Sequence, residues 1–377
     1  MTAAEVDARW MARAVELGRR GDPSPNPHVG ALVVREDAVL GEGFHQAAGD
    51  RHAEVVALAK AGDAARGATL YVTLEPCAHQ GRTPPCVEAV LASGVARVVI
   101  GCLDPNPHVA GGGADHLRGA GIEVMTGVHE AECQALIRPW ARFIVSGRSW
   151  LSLKLAVSLD GRIATKTGAS RWITCPESRA RVHALRAAHD AVLVGVDTIV
   201  ADDPRLTVRD APGRSPIRVV ADSKLRIPPT SAVVQTAREV PTCVLTTREA
   251  PRAAAQALEA LGVSVVVVEA GAEGRCEAAS MLAELAAREV VSVMCEGGAE
   301  LAGSLLASAL VDEMHVFVAP VLLGPRGRPG AVDWAGPEAP TEAPRLEPAR
   351  WELSGTDAYV TGTLHYPRRG PRTHPGT

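Results

Sequence analysis

The chain has 377 residues, which is longer than one average domain, so two or more domains are expected. Its composition, 46% hydrophobic and 22% charged, is typical of a globular protein, and its 3% aromatic content indicates cores built from small aliphatic side chains. The formal charge of −4 argues against a general electrostatic attraction to nucleic acid, although a local basic groove stays possible.

The N-terminal stretch and the cysteines favour the cytoplasm as the compartment. Residues 1–7 are acidic and lack the apolar core of a secretory signal. No run of about 18 apolar residues predicts a membrane span. A disulfide framework is not expected in a chain of this length without an export signal. Two of the eight cysteines are interpreted below as metal ligands, and the other six as small buried side chains: Cys102, Cys133, Cys175, Cys243, Cys276 and Cys295.

Helical and strand patterns alternate through the first half of the chain, which is typical of a three-layer α/β unit. The predicted strands cover residues 31–34, 38–44, 69–73, 95–101 and 122–124. The predicted helices cover 5–19 and 53–61, a third opens at 85–90, and a fourth ends at 117–121.

One stretch of this half carries the residues of a metal site. A His, a nearby Glu and two Cys, namely His52, Glu54, Cys77 and Cys86, follow the pattern of zinc-dependent nucleobase and nucleoside deaminases. Three protein ligands leave the fourth position of zinc for water, as in catalytic sites. A carboxylate at Glu54 can move protons to and from that water. The spacing is unusual for the class, because eight residues, not two, separate the cysteines.

The predicted elements explain why these residues meet. His52 and Cys86 fall at the starts of two helices, where the positive end of the helix favours thiolate over thiol. Cys77 follows a strand, and open α/β sheets commonly bind ligands outside the carboxyl ends of their strands. The alternative is a structural zinc site with His79 or Cys102 as a fourth ligand, which leaves Glu54 without a role.

Several motifs of this half resemble the deaminase half of the bifunctional riboflavin biosynthesis family. They are Pro25-Asn26-Pro27-His28-Val29-Gly30, Gly43-Phe44-His45, His52-Ala53-Glu54 and the unbroken string from Thr73 to Cys86, which has the family's eight-residue gap. Arg51 departs from the family, which usually has proline there.

The resemblance implies a cytidine-deaminase-like fold, one zinc ion per chain and a specific substrate. That substrate is 2,5-diamino-6-(5-phosphoribosylamino)pyrimidin-4-one, whose 2-amino group is hydrolysed away. Asn26, His45 and His79 match positions of the family's pyrimidine pocket. Arg82 is our own candidate for a phosphate contact, from its charge and its place in the metal loop.

A new α/β pattern begins near residue 147, so the expected domains are residues 1–147 and 148–366, followed by a disordered tail at 367–377. One strand of the second domain, at 290–295, leads through Glu296-Gly297-Gly298 into a helix. Glycines at such a turn let the backbone approach a ligand, and the helix N-terminus favours phosphate. The other predicted strands of this domain cover 151–156, 191–194, 217–221, 242–246, 263–268, 314–318 and 358–364, and its helices cover 178–188, 253–261 and 278–287. A helix predicted at 128–137 precedes the boundary.

Motifs of the second domain resemble the reductase half of the same family. They are Leu153-Lys154-x-Ala156-x-Ser158-Leu159-Asp160-Gly161, Ser170-Arg171-Trp172-Ile173-Thr174, Gly195-Val196-Asp197-Thr198, the run from Asp202 to Arg209, and Glu296-Gly297-Gly298. The resemblance implies a fold like dihydrofolate reductase, NADPH as cofactor, and reduction of the ribosyl group of the deaminated product to ribityl.

Site residues of this half are carried over by motif. The cofactor is expected to contact Ala156, Trp172, Thr198, Asp202, Ser223, Gly298, Ala299, Glu300, Leu301, Ala302, Gly303 and Ser304. The substrate is expected to contact Ser170, Arg186, Leu206, Arg209 and Glu296. The two arginines suit its phosphate, with Lys154 as a possible third cation. Asp202 or Glu296 is the expected acid for opening the ribose ring. Spacing alone does not distinguish NADPH from NADH.

Two other functions stay open from the residues. A nucleic-acid deaminase acting on a base such as a tRNA adenosine, with an accessory domain, predicts Cys-x-x-Cys spacing and a basic face. The sequence lacks that spacing and gives no sign of that face. The second alternative is a non-catalytic ligand-binding protein with a structural zinc. Such a protein would not need Glu54 as an acid. The resemblance implies a small phosphoribosylated pyrimidine as the partner. No nucleic acid or membrane partner is expected, and the chain is expected to form a homo-oligomer.

Overall fold

The computed structural model describes residues 2–80, 84–107, 109, 112–327 and 330–367. The chain divides into two compact units, Met1–Gly147 and Arg148–Thr377, here called the N-terminal and the C-terminal unit. Arg82 and the tail residues 368–377 lie outside the described residues. Among the described helices, none is long and apolar enough to cross a lipid bilayer.

The N-terminal unit contains a mixed five-stranded sheet. Its strands are β1 (Gly30–Arg35), β2 (Ala38–Phe44), β3 (Thr69–Leu74), β4 (Arg97–Cys102) and β5 (Glu123–Thr126). The strand order is β2-β1-β3-β4-β5. β1 pairs antiparallel with β2 and β3, while β3, β4 and β5 run parallel. The sequence predicted all five strands to within a few residues.

Helices cover both faces of this sheet and give the expected three layers. They are α1 (Ala3–Gly18), α2 (Ala53–Ala61), α3 (Cys86–Ser93), α4 (Gly112–Gly119) and α5 (Glu130–Ser146). A Cβ atom at Gly30 would lie 2.0 Å from a carbonyl oxygen of α1, and one at Gly43 would lie 2.1 Å from the Ala53 oxygen of α2. Gly43 pairs with Ala31, the neighbour of Gly30, so α1 and α2 lie on opposite faces. Glycine at Gly43 thus lets α2 press against β2, which fixes its first turn.

A buried ion pair ties α1 to the sheet. The Arg97 guanidinium donates to both carboxylate oxygens of Asp7, at 2.7 and 2.8 Å, and the Tyr71 hydroxyl donates to the same carboxylate at 2.8 Å. These hydrogen bonds, the strongest from Arg97, lower the pKa of Asp7 against the effect of burial. The pair therefore stabilises the N-terminal unit wherever Asp7 is ionised.

The C-terminal unit is built on a larger sheet that is mostly parallel. Its strand order is β10-β9-β8-β7-β11-β6-β12-β15-β13, and β14 pairs with β15. The seven strands from β10 to β12 in that order are parallel, whereas β15 is antiparallel to its neighbours. The strands are β6 (Trp150–Ser158), β7 (Ala191–Gly195), β8 (Ile217–Ala221), β9 (Thr242–Thr246), β10 (Ser264–Val267), β11 (Ser292–Cys295), β12 (Glu313–Ala319), β13 (Arg345–Leu346), β14 (Arg350–Ser354) and β15 (Asp357–His365).

Two core clusters cover the two faces of this sheet. Along β7, Ala191 and Leu193 belong to one cluster and Val192 and Val194 to the other, as the alternation of side chains along a strand requires. The helices are α6 (Pro176–Ala187), α7 (Val196–Asp202), α8 (Ala232–Gln235), α9 (Arg252–Ala260), α10 (Ala278–Ala286) and α11 (Ala299–Ala307). The alternating α/β architecture predicted for this half is confirmed.

Candidate functional site

The N-terminal unit brings His52, Cys77 and Cys86 together. His52 precedes α2, Cys77 follows β3, and Cys86 is the first residue of α3. His52 Nδ1 lies 3.0 Å from Cys86 Sγ and 3.8 Å from Cys77 Sγ, and the Cys86 N–H donates to Cys77 Sγ at 3.3 Å. All three potential ligand atoms lie within 4.8 Å of one another.

This donor set fits zinc. A tetrahedral zinc ion with bonds of about 2.0–2.3 Å to nitrogen and sulfur needs ligand atoms roughly 3.5 Å apart, which is close to the spacing found. Among the described residues the cluster has these three members, and neither His79 nor Cys102 joins it. Cys102 is buried, and its thiol donates to the Thr73 carbonyl oxygen at 3.3 Å. Three protein ligands favour a catalytic over a structural site.

The electrostatics of the cluster suit both metal binding and proton transfer. The hydrogen bond with the Cys86 thiol, with a smaller effect of His52, lowers the pKa of Cys77 against the effect of burial, and the same hydrogen bond raises the pKa of Cys86, so the pair favours a thiolate at Cys77. Glu54, in the first turn of α2, is only 4% exposed. Burial raises the pKa of its carboxyl to about 7, where the group both accepts and releases a proton near neutral pH.

Two of the predicted pyrimidine-pocket residues lie beside the metal cluster. Asn26 Nδ2 lies 3.0 Å from His45 Nε2. The His45 ring is buried, and its centroid is 5.2 Å from that of His52. Burial lowers the pKa of His45, so the ring is neutral at neutral pH. His79, by contrast, is exposed on the loop after Cys77.

Glu75 braces the loop that carries Cys77. Its buried carboxylate accepts the backbone N–H of Asp104 at 3.0 Å and that of Ala114 at 2.8 Å. It thereby ties the end of β3 to the segment after β4 and to the first turn of α4. A Cβ atom at Gly113 would lie 1.9 Å from the Pro76 oxygen, which shows how closely these segments pack. The sequence indicated no role for Glu75 beyond its place in the family motif. Its partners are backbone N–H groups, which no residue type in the sequence reveals.

The C-terminal unit contains a cavity of about 720 Å³ above the carboxyl ends of β6, β7 and β11. The sequence-predicted residues that line it are Ala156, Ser170, Trp172, Arg186, Thr198, Asp202, Leu206, Arg209, Glu296 and Gly298. Motifs far apart in the sequence are thus brought to one place. Ser223 and residues 299–304 are described but do not line this cavity.

An ion triad lies in the cavity wall. Arg186 donates to both Glu296 oxygens, at 2.5 and 3.0 Å, and Lys154 Nζ lies 3.3 Å from Glu296 Oε2. Burial alone would raise the pKa of Glu296, but the charges of Arg186 and Lys154 outweigh it and lower the pKa to about 2. Glu296 is therefore held as a carboxylate, and our expectation that it serves as an acid conflicts with its surroundings.

The two arginines expected at the substrate phosphate have different surroundings. Arg186 is engaged by Glu296 and also donates to the Thr207 carbonyl oxygen at 3.0 Å. Arg209 is exposed and, within the described ranges, makes no ion pair. Its backbone N–H donates to His183 Nδ1 at 3.4 Å, and burial, with two nearby arginines, lowers the pKa of His183, which keeps that nitrogen available as an acceptor. The sequence did not point to His183.

Trp172 forms part of the cavity wall although it is largely exposed. The Arg179 guanidinium carbon lies 4.6 Å from a ring centroid of its indole, and that of Arg171 lies 5.9 Å away. Arg179 also donates to the Thr174 carbonyl oxygen at 2.7 Å. Cation–π contacts thus hold this indole at the cavity.

The remaining predicted cofactor residues lie after β8 and in α11. Ser223 follows β8, and its hydroxyl oxygen accepts the Cys276 N–H at 2.8 Å. Residues 299–304 form the first part of α11. A Cβ atom at Gly303 would lie 1.8 Å from the Asp333 oxygen, so glycine there serves the packing of α11.

Comparisons with known proteins agree with the two-unit arrangement. Residues 4–102 match the cytidine and deoxycytidylate deaminase zinc-binding region, and residues 149–360 match the RibD C-terminal domain. The riboflavin biosynthesis protein RibD of Aquifex aeolicus is 44% identical over 323 residues, which cover 85% of this chain and 88% of that protein. The chain belongs to the RibD family. The riboflavin biosynthesis protein RibD of Escherichia coli is 41% identical over 356 residues, which cover 90% of this chain and 95% of that protein.

Solved structures of RibD proteins extend the agreement to the fold. A RibD structure from Acinetobacter baumannii superposes with a TM-score of 0.84 at 36% identity, covering 97% of this chain and 100% of that one. A diaminohydroxyphosphoribosylaminopyrimidine deaminase/5-amino-6-(5-phosphoribosylamino)uracil reductase from Thermotoga maritima gives 0.84 at 34% identity, with the same coverage. The predicted family, fold class and bifunctional deaminase–reductase enzyme of riboflavin biosynthesis are confirmed. A nucleic-acid deaminase is not favoured.

Proposed function

We propose that the N-terminal unit, as the deaminase domain, hydrolyses the 2-amino group of 2,5-diamino-6-(5-phosphoribosylamino)pyrimidin-4-one. The observation that carries this assignment is the three-ligand cluster of His52, Cys77 and Cys86 beside the buried Glu54. Zinc held by these ligands supplies a Lewis acid that makes a water molecule a stronger nucleophile at neutral pH.

Glu54 carries the protons of this reaction. It takes a proton from the attacking water as the new C–O bond forms, and it delivers a proton to the departing amine as the C–N bond breaks and ammonia leaves. A pKa of about 7 suits both directions of transfer. Asn26 and His45, joined at 3.0 Å, offer a fixed pair of polar groups to the ring edge, and His79 reaches the substrate from the exposed loop.

We further propose that the C-terminal unit, as the reductase domain, reduces the ribosyl group of the deaminated product. The Gly297-Gly298 turn before α11 suits a pyrophosphate, because it offers backbone N–H groups at a helix N-terminus without side chains in the way. NADPH bound there supplies the hydride that C1′ of the sugar receives. Arg209 lies exposed at the cavity and binds the substrate phosphate, while Glu296 accepts hydrogen bonds from the sugar hydroxyls.

Opening the ribose ring needs a proton on the ring oxygen as the C1′–O bond breaks. Glu296 is ionised, so it is unsuited to this step. Lys154 lines the cavity and is held by Glu296, and its ammonium group carries a transferable proton. We therefore assign the proton donor to Lys154, with Asp202 as the alternative. Lys154→Gln should abolish reduction, whereas Asp202→Asn should weaken NADPH binding; the reverse result would reassign the two roles.

One assay tests the proposed pair of reactions. The full chain is supplied with the pyrimidine substrate, and ammonia release and NADPH consumption are followed together. Cys77→Ser should lose zinc, measured by metal analysis, and stop ammonia release. It should still oxidise NADPH when the deaminated intermediate is supplied. Failure of the wild-type chain to release ammonia would overturn the deaminase assignment.

We also propose that the enzyme works in the cytoplasm as a homo-oligomer, on a small molecule and not on nucleic acid. None of the eight cysteines forms a disulfide, which suits a reducing compartment. Strand β14 exposes Trp351 and Leu353 by 70% and 80%, an apolar pair suited to a second copy. Light scattering should find an oligomer, and a monomer at every concentration would contradict this point.

A further inference from the structure

The carboxyl ends of β7, β8 and β11 lie side by side next to the glycine turn. Gly195 at the end of β7 pairs with Ala221 at the end of β8, and β11 pairs with the other side of β7. Strand β8 is therefore two strand spacings, about 10 Å, from β11. The segment before α10 bridges the same region, because Cys276 donates to Ser223 at 2.8 Å and Arg275 donates to Glu300 of α11 at 2.6 Å.

The proposed function sets the direction of the dinucleotide across this edge. By that proposal the hydride would be transferred near Lys154 of β6, which pairs with β11 on the side away from β7. With the pyrophosphate at the Gly297-Gly298 turn, the adenosine half extends the other way, toward the end of β8. NADPH differs from NADH only by a phosphate on this adenosine ribose, so the residues after β8 are placed to tell the two apart.

The cationic side chains in this region differ in whether they are already neutralised. Arg226 pairs with Asp197 at 2.8 Å, Arg275 with Glu300 at 2.6 Å, and Arg248 lies 3.7 Å from Glu269. Lys224, directly after Ser223, is exposed and has no carboxylate partner in the part of the chain that the structure describes. Its ammonium group is therefore free to meet an incoming anion.

The acidic neighbour of Ser223 does not oppose such an anion. Asp222 is only 1% exposed, and its Oδ2 accepts the backbone N–H of Ile227 at 2.7 Å. Dinucleotide sites that prefer NADH present a carboxylate to the ribose hydroxyls, and that carboxylate repels a 2′-phosphate. Here the carboxylate next to Ser223 is directed into the protein, and the exposed charge beside it is the Lys224 ammonium.

We infer that Lys224 is a specificity residue that binds the 2′-phosphate of the adenosine ribose and makes the chain prefer NADPH to NADH. This inference rests on the proposed reductase function. The Lys224 ammonium supplies the charge of this anion site. The Ser223 hydroxyl donates to Cys276 Sγ at 3.4 Å and accepts the Cys276 N–H, so it fixes the turn that carries the lysine. Lys224 is thus the candidate for the 2′-phosphate contact that spacing in the sequence did not identify.

Nucleotide binding to the full chain tests this site without catalysis. Calorimetry with adenosine 2′,5′-bisphosphate and with AMP isolates the contribution of the 2′-phosphate. The wild-type chain should bind the bisphosphate more tightly. Lys224→Ala should weaken bisphosphate binding by about tenfold or more and leave AMP binding within about twofold, since one charged contact is lost. Lys224→Arg should retain most of the preference.

The controls separate this inference from the function on which it rests. Arg288→Ala removes an exposed cation paired with Glu284, away from the carboxyl ends of the strands, and should change neither affinity. Unchanged bisphosphate binding in Lys224→Ala, or a loss in Arg248→Ala in its place, overturns the role of Lys224. If the wild-type chain binds NADPH and NADH equally, the inference also fails while the reductase stands. If it binds neither, the reductase function itself is wrong.

Discussion

The two sites of this chain are built in different ways. In the N-terminal unit, the zinc ligands and Glu54 come from the two ends of a stretch of 35 residues, His52 to Cys86, and each stands at a helix start or after a strand. In the C-terminal unit, Lys154 on β6, Arg186 on α6 and Glu296 after β11 meet as a partly buried ion triad. The first site is specified by residue type and spacing, whereas the second depends on long-range packing.

This difference predicts that the sites fail differently. Removing a functional group from the N-terminal site should stop one chemical step and leave the fold intact. Removing the Glu296 charge from the C-terminal triad should disturb the cavity itself, because two partly buried cations then lose their shared counterion.

The largest effect is expected from Glu54→Gln. It removes the proton carrier but keeps the shape of the buried side chain, so deamination should fall by about 100- to 10,000-fold. Zinc content and NADPH oxidation on the deaminated intermediate should be unchanged. Glu88→Gln is the matched control, because Glu88 is exposed in the first turn of α3. Ammonia release near the wild-type rate would remove Glu54 from the mechanism.

Glu296→Gln should show the opposite behaviour. The lost charge leaves Arg186 and Lys154 facing each other, which should destabilise the C-terminal unit by about 3 kcal/mol and weaken reduction together with stability. Thermal unfolding and the kcat/KM of the reductase measure the two effects. Glu284→Gln, in an exposed pair with Arg288, should change neither. A stable, folded Glu296→Gln protein that has lost only kcat would show that the triad acts in chemistry alone.

A smaller effect is expected at Glu75, which supports the N-terminal site without lying in it. Glu75→Ala leaves the N–H groups of Asp104 and Ala114 without their acceptor, so the Cys77 loop should loosen and hold zinc about tenfold less tightly. Glu75→Gln keeps one acceptor oxygen, so its zinc affinity should lie between those of the wild-type chain and Glu75→Ala. Competition with a chelator measures the affinity. Equal zinc retention in all three proteins would show that the loop needs no brace.

Local features of the chain could be predicted from the sequence, whereas features that depend on long-range packing could not. Alternating apolar patterns placed most strands, and the motif placed the zinc ligands, because both signals are local. The sequence missed β14, whose Trp351 and Leu353 face solvent, since an edge strand need not alternate in the usual way. It also missed that Arg186 is engaged by Glu296, because the two residues are 110 positions apart and only the fold brings them together.

The last effect concerns stability alone and should leave both activities unchanged. Asp7→Asn breaks the ion pair with Arg97 at the base of α1, whereas Asp37→Asn breaks an exposed pair with Arg9 and serves as the control. Because the pKa of Asp7 is lowered by folding, its contribution is complete above the unfolded value of about 3.9 and is lost as pH falls through the folded value. At pH 7, Asp7→Asn should therefore reduce the protection of β3 and β4 against hydrogen exchange by about 2 kcal/mol. The deficit should shrink below about pH 4, where the wild-type chain loses the same charge. A deficit that does not change with pH would show that shape, and not ionisation, is what Asp7 contributes.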